Sequence, residues 1–165
     1  MLGLDIKGRR VTSIGSATQK ISFAETVDIA ASAARLTVLA IQDPSSVPEI
    51  VRISGSVSSF AEIAKIFGEE LGEKIDVVER DLEEVKANLG PEDVGDFIRY
   101  ASIMSAPFNA LISSAALPSS LVFALGMADF SMENHNELVN PGEKYWRWKT
   151  VAQFAKETKG NPPTT

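Results

Sequence analysis

The sequence predicts an α/β domain that is mostly helical with a few short strands. Two kinds of signal carry this. Residues 9–14 (RRVTSI) and 49–54 (EIVRIS) are short β-prone runs, each closed by a glycine, Gly15 and Gly55. Longer stretches follow, with apolar residues three or four apart, and two of them open on capping boxes, Ser59 with Glu62 and Thr150 with Gln153. The chain has 165 residues, 44% hydrophobic and 23% charged, which suits one globular domain with a real core.

Each element follows in order. The strand at 9–14 is succeeded by a second extended piece at 20–25. Residues 25–43 then predict a helix whose stripe of Val27, Ala30, Ala34 and Val38 is expected to lie close against a sheet. Pro44 and Pro48 bracket a loop before the strand at 49–54. The next helix starts at the Ser59 cap, carries Ile63, Ile66, Phe67 and Leu71 as its apolar stripe, and stops at Gly72. Residues 74–80 (KIDVVER) predict a strand with Ile75 and Val77 on one face. A short acidic helix capped by Asp81 ends at Gly90–Pro91, and Val94 to Met127 reads as helical pieces. A polar loop with a turn at Pro141–Gly142 precedes the last helix, opened by Thr150. The domain is expected over 1–160, with 161–165 as a frayed tail.

Composition narrows the function classes. A net charge of −6 argues against a nucleic-acid partner. With no cysteine, disulfides, thiol nucleophiles and cysteine metal sites are excluded. The N-terminus carries early charges and no signal-like apolar run, so a cytoplasmic location is expected. Tyr100 to Ala128 holds no charged residue, but Pro107, Pro118 and paired serines interrupt it. Broken buried helices are the expectation there, and no membrane span. The closest two of the 11 glycines, Gly68 and Gly72, are four residues apart, so no dinucleotide-binding glycine loop can be written, and a Walker-type loop is absent too. The single histidine, His135, reads as a solvated loop residue, and the acidic runs GEELGEK and ERDLEE as a solvated face.

Three stretches together resemble one family. They are IGSATQKISFAETVDIAASAARL (14–36), VRISGSVSSFAEIAKIFGEELGEKIDVVERDLEE (51–84) and LVNPGEKYWRWKTVAQFAKE (138–157). Their content and order resemble the C-terminal half of NmrA-like proteins, the atypical short-chain dehydrogenases that include isoflavone reductase-like enzymes. The resemblance implies the substrate lobe of an NAD(P)-binding Rossmann-type fold. In that family the glycine loop, and in the reductases a catalytic lysine, belong to a preceding nucleotide-binding half. The expectation is therefore that the N-terminal half is missing here, and that this chain alone binds no NAD(P)H and turns nothing over.

The resemblance also implies a pocket wall at Phe23, Tyr100, Met104 and Phe108, suited to a small apolar or aromatic substrate. The other function it implies is a non-catalytic, redox-sensing regulator with a protein partner, for which the nucleus is a second possible location. The strand near 50–54 is expected to lose its sheet with the missing half and to offer an exposed edge for self-association.

The segment YWRWK contains Tyr145 and Lys149 at the spacing of a short-chain dehydrogenase catalytic pair. It follows every predicted strand, and Lys149 directly precedes the Thr150 cap, so the two are not expected to share a helix. Trp146 and Trp148 are expected to anchor the last helix instead.

Overall fold

The computed structural model describes residues 4–87 and 126–162. Among these residues the architecture is α/β, with two small sheets and five helices. Strand β1 (Leu4–Asp5) pairs antiparallel with β2 (Arg10–Ile14), in the register Asp5 to Arg10. Strand β3 (Lys20–Phe23) leads into α1 (Thr26–Gln42), and a single 3-10 turn covers Pro44–Ser46. Strand β4 (Ser56–Ser59) returns antiparallel to β3, Lys20 opposite Ser59 and Phe23 opposite Ser56. Helix α2 (Phe60–Leu71) follows at once, then β5 (Asp76–Arg80), which lies parallel to β2 with Arg10 opposite Asp76. Helix α3 (Leu82–Ala87) closes this part. After the second described stretch begins come a short α4 (Asn136–Val139) and α5 (Val151–Glu157).

The core sits between α2 and the two sheets. Ile63, Ala64 and Phe67 of α2 are buried with Val11 of β2 and Ile21 of β3. Helix α5 also packs on α2, where Phe154 meets Phe67 edge to face at 6.4 Å. Both predicted capping boxes form. Ser59 Oγ accepts from the Glu62 N–H and Glu62 Oε2 accepts from the Ser59 N–H. Thr150 and Gln153 repeat the arrangement at α5. Gly72 ends α2 with φ of +68°, a conformation only glycine adopts without strain. Asp81 caps α3 through the Glu84 N–H, at 2.8 Å.

Four expectations are corrected. Residues 49–54 form no strand, and β4 begins at Ser56. The backbone of Arg52 and Ser54 bonds instead to His135 and Asn136, so there is no sheet edge at 50–54 to offer for self-association. Helix α1 is turned the opposite way from its predicted packing. Val27, Ala30, Ala34 and Val38 are exposed, while Asp28 and Ser32 are the buried residues. On β5, Ile75 is buried just ahead of the strand, but Val77 is 38% exposed, as all five strand residues are exposed. Residues 129–145 are not all loop. They contain α4 and a 3-10 turn at Pro141–Glu143, with Val139 and Asn140 fully buried. Of the predicted tail, residues 161 and 162 follow the last turn without regular structure, and the rest lies outside the described residues.

Candidate functional site

Four segments converge around Gly55. They are the end of β3, the first turn of α1, the loop before β4 and the stretch before α5. A Cβ on Gly55 would lie 3.3 Å from the Lys149 carbonyl oxygen and 3.4 Å from both Asp28 Oδ2 and the Phe23 carbonyl oxygen. Glycine is thus the residue that lets the other three segments approach this closely. Asp28 is 4% exposed, and its Oδ2 accepts from the Lys149 N–H at 2.9 Å. Ser32 is buried beside it and donates its hydroxyl to the Asp28 carbonyl. Burying this aspartate is tolerated because its oxygen has a donor.

Lys149 is the cation of this junction. Its Nζ lies 2.7 Å from Glu157 Oε2 and 2.9 Å from Glu25 Oε1. The hydrogen bonds to Glu157 first, and then to Glu25, hold its ammonium group above the ordinary lysine range. Tyr145 has different company. Its ring lies under the Arg35 guanidinium at 4.7 Å and near Lys144 at 5.5 Å. Residues 144–150 are not helical, so Tyr145 and Lys149 do not form the helical pair that their spacing suggested. The junction positions chain segments; its lysine is a committed ion-pair partner.

Phe23 ends β3 and is half-buried against the core. Tyr100, Met104 and Phe108 lie outside the described residues. A shallow trough of about 480 Å³ runs between α2 and β5, lined by Ala61, Ala64, Gly68, Ile75 and Val77, among others, and Phe23 is not part of it. Trp148 is buried just ahead of α5, with Trp146 edge to face on it at 5.2 Å. Arg35 Nε and Trp146 Nε1 are buried with no hydrogen-bond partner among the described residues.

His135, read from the sequence as a solvated loop residue, and two asparagines that sequence reasoning passed over organise the chain crossing. His135 is half-buried rather than solvated: its Nδ1 accepts from the Arg52 N–H at 3.1 Å and its own N–H donates to the Arg52 carbonyl at 2.7 Å. Asn136 uses both ends of its amide on the Ser54 backbone, at 3.0 and 2.7 Å. Buried Asn140 does the same for the Tyr145 N–H and the Trp146 carbonyl. Asparagine carries a donor and an acceptor in the geometry of a peptide group, which is the one signal that ENHNELVN offered.

Among the described residues no three histidine, aspartate or glutamate side chains gather as a metal site, and no helix is long and apolar enough to cross a membrane. No protein-family model matches the chain, and no curated protein matches it either.

Proposed function

We propose that this chain is the substrate-binding lobe of an NmrA-like, NAD(P)-dependent reductase, working against a separate nucleotide-binding half. The observation that carries the reading is the outer face of α1. Val27, Val38 and Ile41 are 67%, 43% and 78% exposed, and with Ala30 and Ala34 they make one apolar stripe along a helix of 17 residues. A helix whose apolar stripe faces away from its own core is built to be covered. The nucleotide-binding half is the partner that the family resemblance supplies for that face.

In this reading the Asp28–Lys149 junction holds the start of α1 against the end of β3. It thereby fixes Phe23, which with Tyr100, Met104 and Phe108 is assigned to the wall facing a flat apolar substrate. The chain supplies shape and apolar contact; the nucleotide-binding half supplies NAD(P)H and the proton donor.

The test is to extend the chain with the sequence encoded directly upstream of Met1, then titrate NADPH and assay reduction of flat apolar carbonyl and alkene substrates. Binding with turnover in the extended protein, and neither in the 165 residues alone, is the expected result. Binding without turnover favours the regulator over the reductase. An upstream region without a glycine loop, or an extended protein that binds no dinucleotide, overturns the proposal.

A further inference from the structure

Strand β5 is the edge of its sheet among the described residues. Its Asp76 N–H bonds the Arg9 carbonyl, and its Arg80 carbonyl accepts from the Gly15 N–H. In a parallel ladder the bonding residues alternate, so Asp76, Val78 and Arg80 turn their backbone groups toward β2. Val77 and Glu79 therefore point theirs outward, unpaired in the ladder. Both faces of β5 are exposed, Val78 to 39%. An unpaired, uncovered edge of this kind is a template for another strand.

The side chains say which strand. Asp5, Arg10 and Asp76 stand side by side across the three strands, alternating in charge. The fourth position in that row calls for a cation. The sequence Asp76-Val77-Val78-Glu79-Arg80 reads with opposite charge at its two ends. Laid antiparallel on itself about Val78, it sets Asp76 opposite Arg80 of the second copy, and Arg80 opposite that copy's Asp76. The same register sets Val77 opposite Glu79, the two residues whose backbone groups point outward. They then form hydrogen-bonded pairs on each side of a central Val78–Val78 contact. Neither end is committed elsewhere in a way that prevents this. Among the described residues Arg80 has no carboxylate partner, and Asp76 pairs with the exposed Lys74, at 2.9 Å.

We propose that two copies of this chain associate through β5, antiparallel and centred on Val78, to make a continuous six-stranded sheet. The interface is isologous, as a two-fold dimer requires, and one strand pair makes it a weak one. It uses a surface distinct from the outer face of α1, so the two proposals stand or fall separately.

Sedimentation velocity of the 165-residue chain from low micromolar to near-millimolar concentration is the first measurement, and a concentration-dependent dimer is expected. Val77→Pro removes an outward N–H that the ladder with β2 does not use, so it should abolish the dimer while circular dichroism stays unchanged. Asp76→Arg and Arg80→Asp should each weaken association about ten-fold, because both symmetry-related pairs become like-charged. Mixing the two single variants, or combining both changes in one chain, should restore it. A chain that stays monomeric throughout overturns the proposal. So does a dimer that survives the charge reversals, or one that the mixture fails to rescue.

Discussion

The buried carboxylate of Asp28 holds the backbone N–H of Lys149 at 2.9 Å, joining residues 121 positions apart. That bond fastens the first turn of α1 to the stretch that launches α5. Replacing Asp28 with alanine leaves the Lys149 N–H without its charged acceptor. A loss of about 2 kcal/mol in urea unfolding is expected, the range for a hydrogen bond to a charged group. Asp28→Asn keeps an oxygen in place and should recover part of the loss.

The clamp of Asn136 on Ser54 predicts a local effect rather than a global one. Both amide ends of Asn136 bond the Ser54 backbone, at the start of the single-turn α4. Asn136→Ala should lower stability by about 1–3 kcal/mol. Hydrogen exchange should rise first at the Arg52 and Ser54 amides, whose partners are His135 and Asn136. Unchanged protection at those two amides would contradict the assignment.

Glu62 links the helix cap to pH. Its hydrogen bond with Lys20, then its bond from the Ser59 N–H, hold its carboxyl below the ordinary glutamate range. A carboxylate with a lowered folded-state pKa contributes stability that is complete above its unfolded-state pKa and fades as pH falls through the folded-state value. The wild-type chain should therefore lose stability on acidification through that window. Glu62→Gln keeps an acceptor for the Ser59 N–H but removes the titration, so its stability should vary less with pH there. Ser59→Ala, which removes the other half of the box, should cost about 1 kcal/mol at neutral pH.

Lys149 has the opposite sign. Its ammonium is held above the ordinary lysine range by Glu157 and Glu25, so its contribution is complete below the unfolded-state pKa and is lost as pH rises through the folded-state one. Thermal melts of the wild type should fall as alkaline pH enters that window. In Lys149→Met the fall should be smaller, since no charge is left to lose.

Under the proposed function, the outer stripe of α1 should distinguish a free lobe from a docked one. Ile41→Glu and Val38→Glu alter exposed positions, so in the 165-residue chain they should change stability by no more than about 0.5 kcal/mol. In the upstream-extended protein the same changes should weaken association of the two halves and lower NADPH affinity. Equal indifference in both settings would argue against a docking role for the stripe.

What the sequence determined by itself was local. The capping boxes at Ser59 and Thr150, the glycine stop at Gly72 and the Asp81 cap all depend on residues a few positions apart, and each formed where its spacing put it. Tertiary structure decided the rest, because it turns on partners far away along the chain. Residues 49–54 have the composition of a strand, yet a strand needs a neighbour, and here the donors and acceptors of Arg52 and Ser54 go to His135 and Asn136. The apolar stripe of α1 showed where the helix is greasy but not which side meets the core. That was settled by Asp28, whose buried carboxylate has a use only because the Lys149 N–H arrives to meet it. Periodicity measures how apolar each face of a helix is; the far side of the chain decides which face is inside.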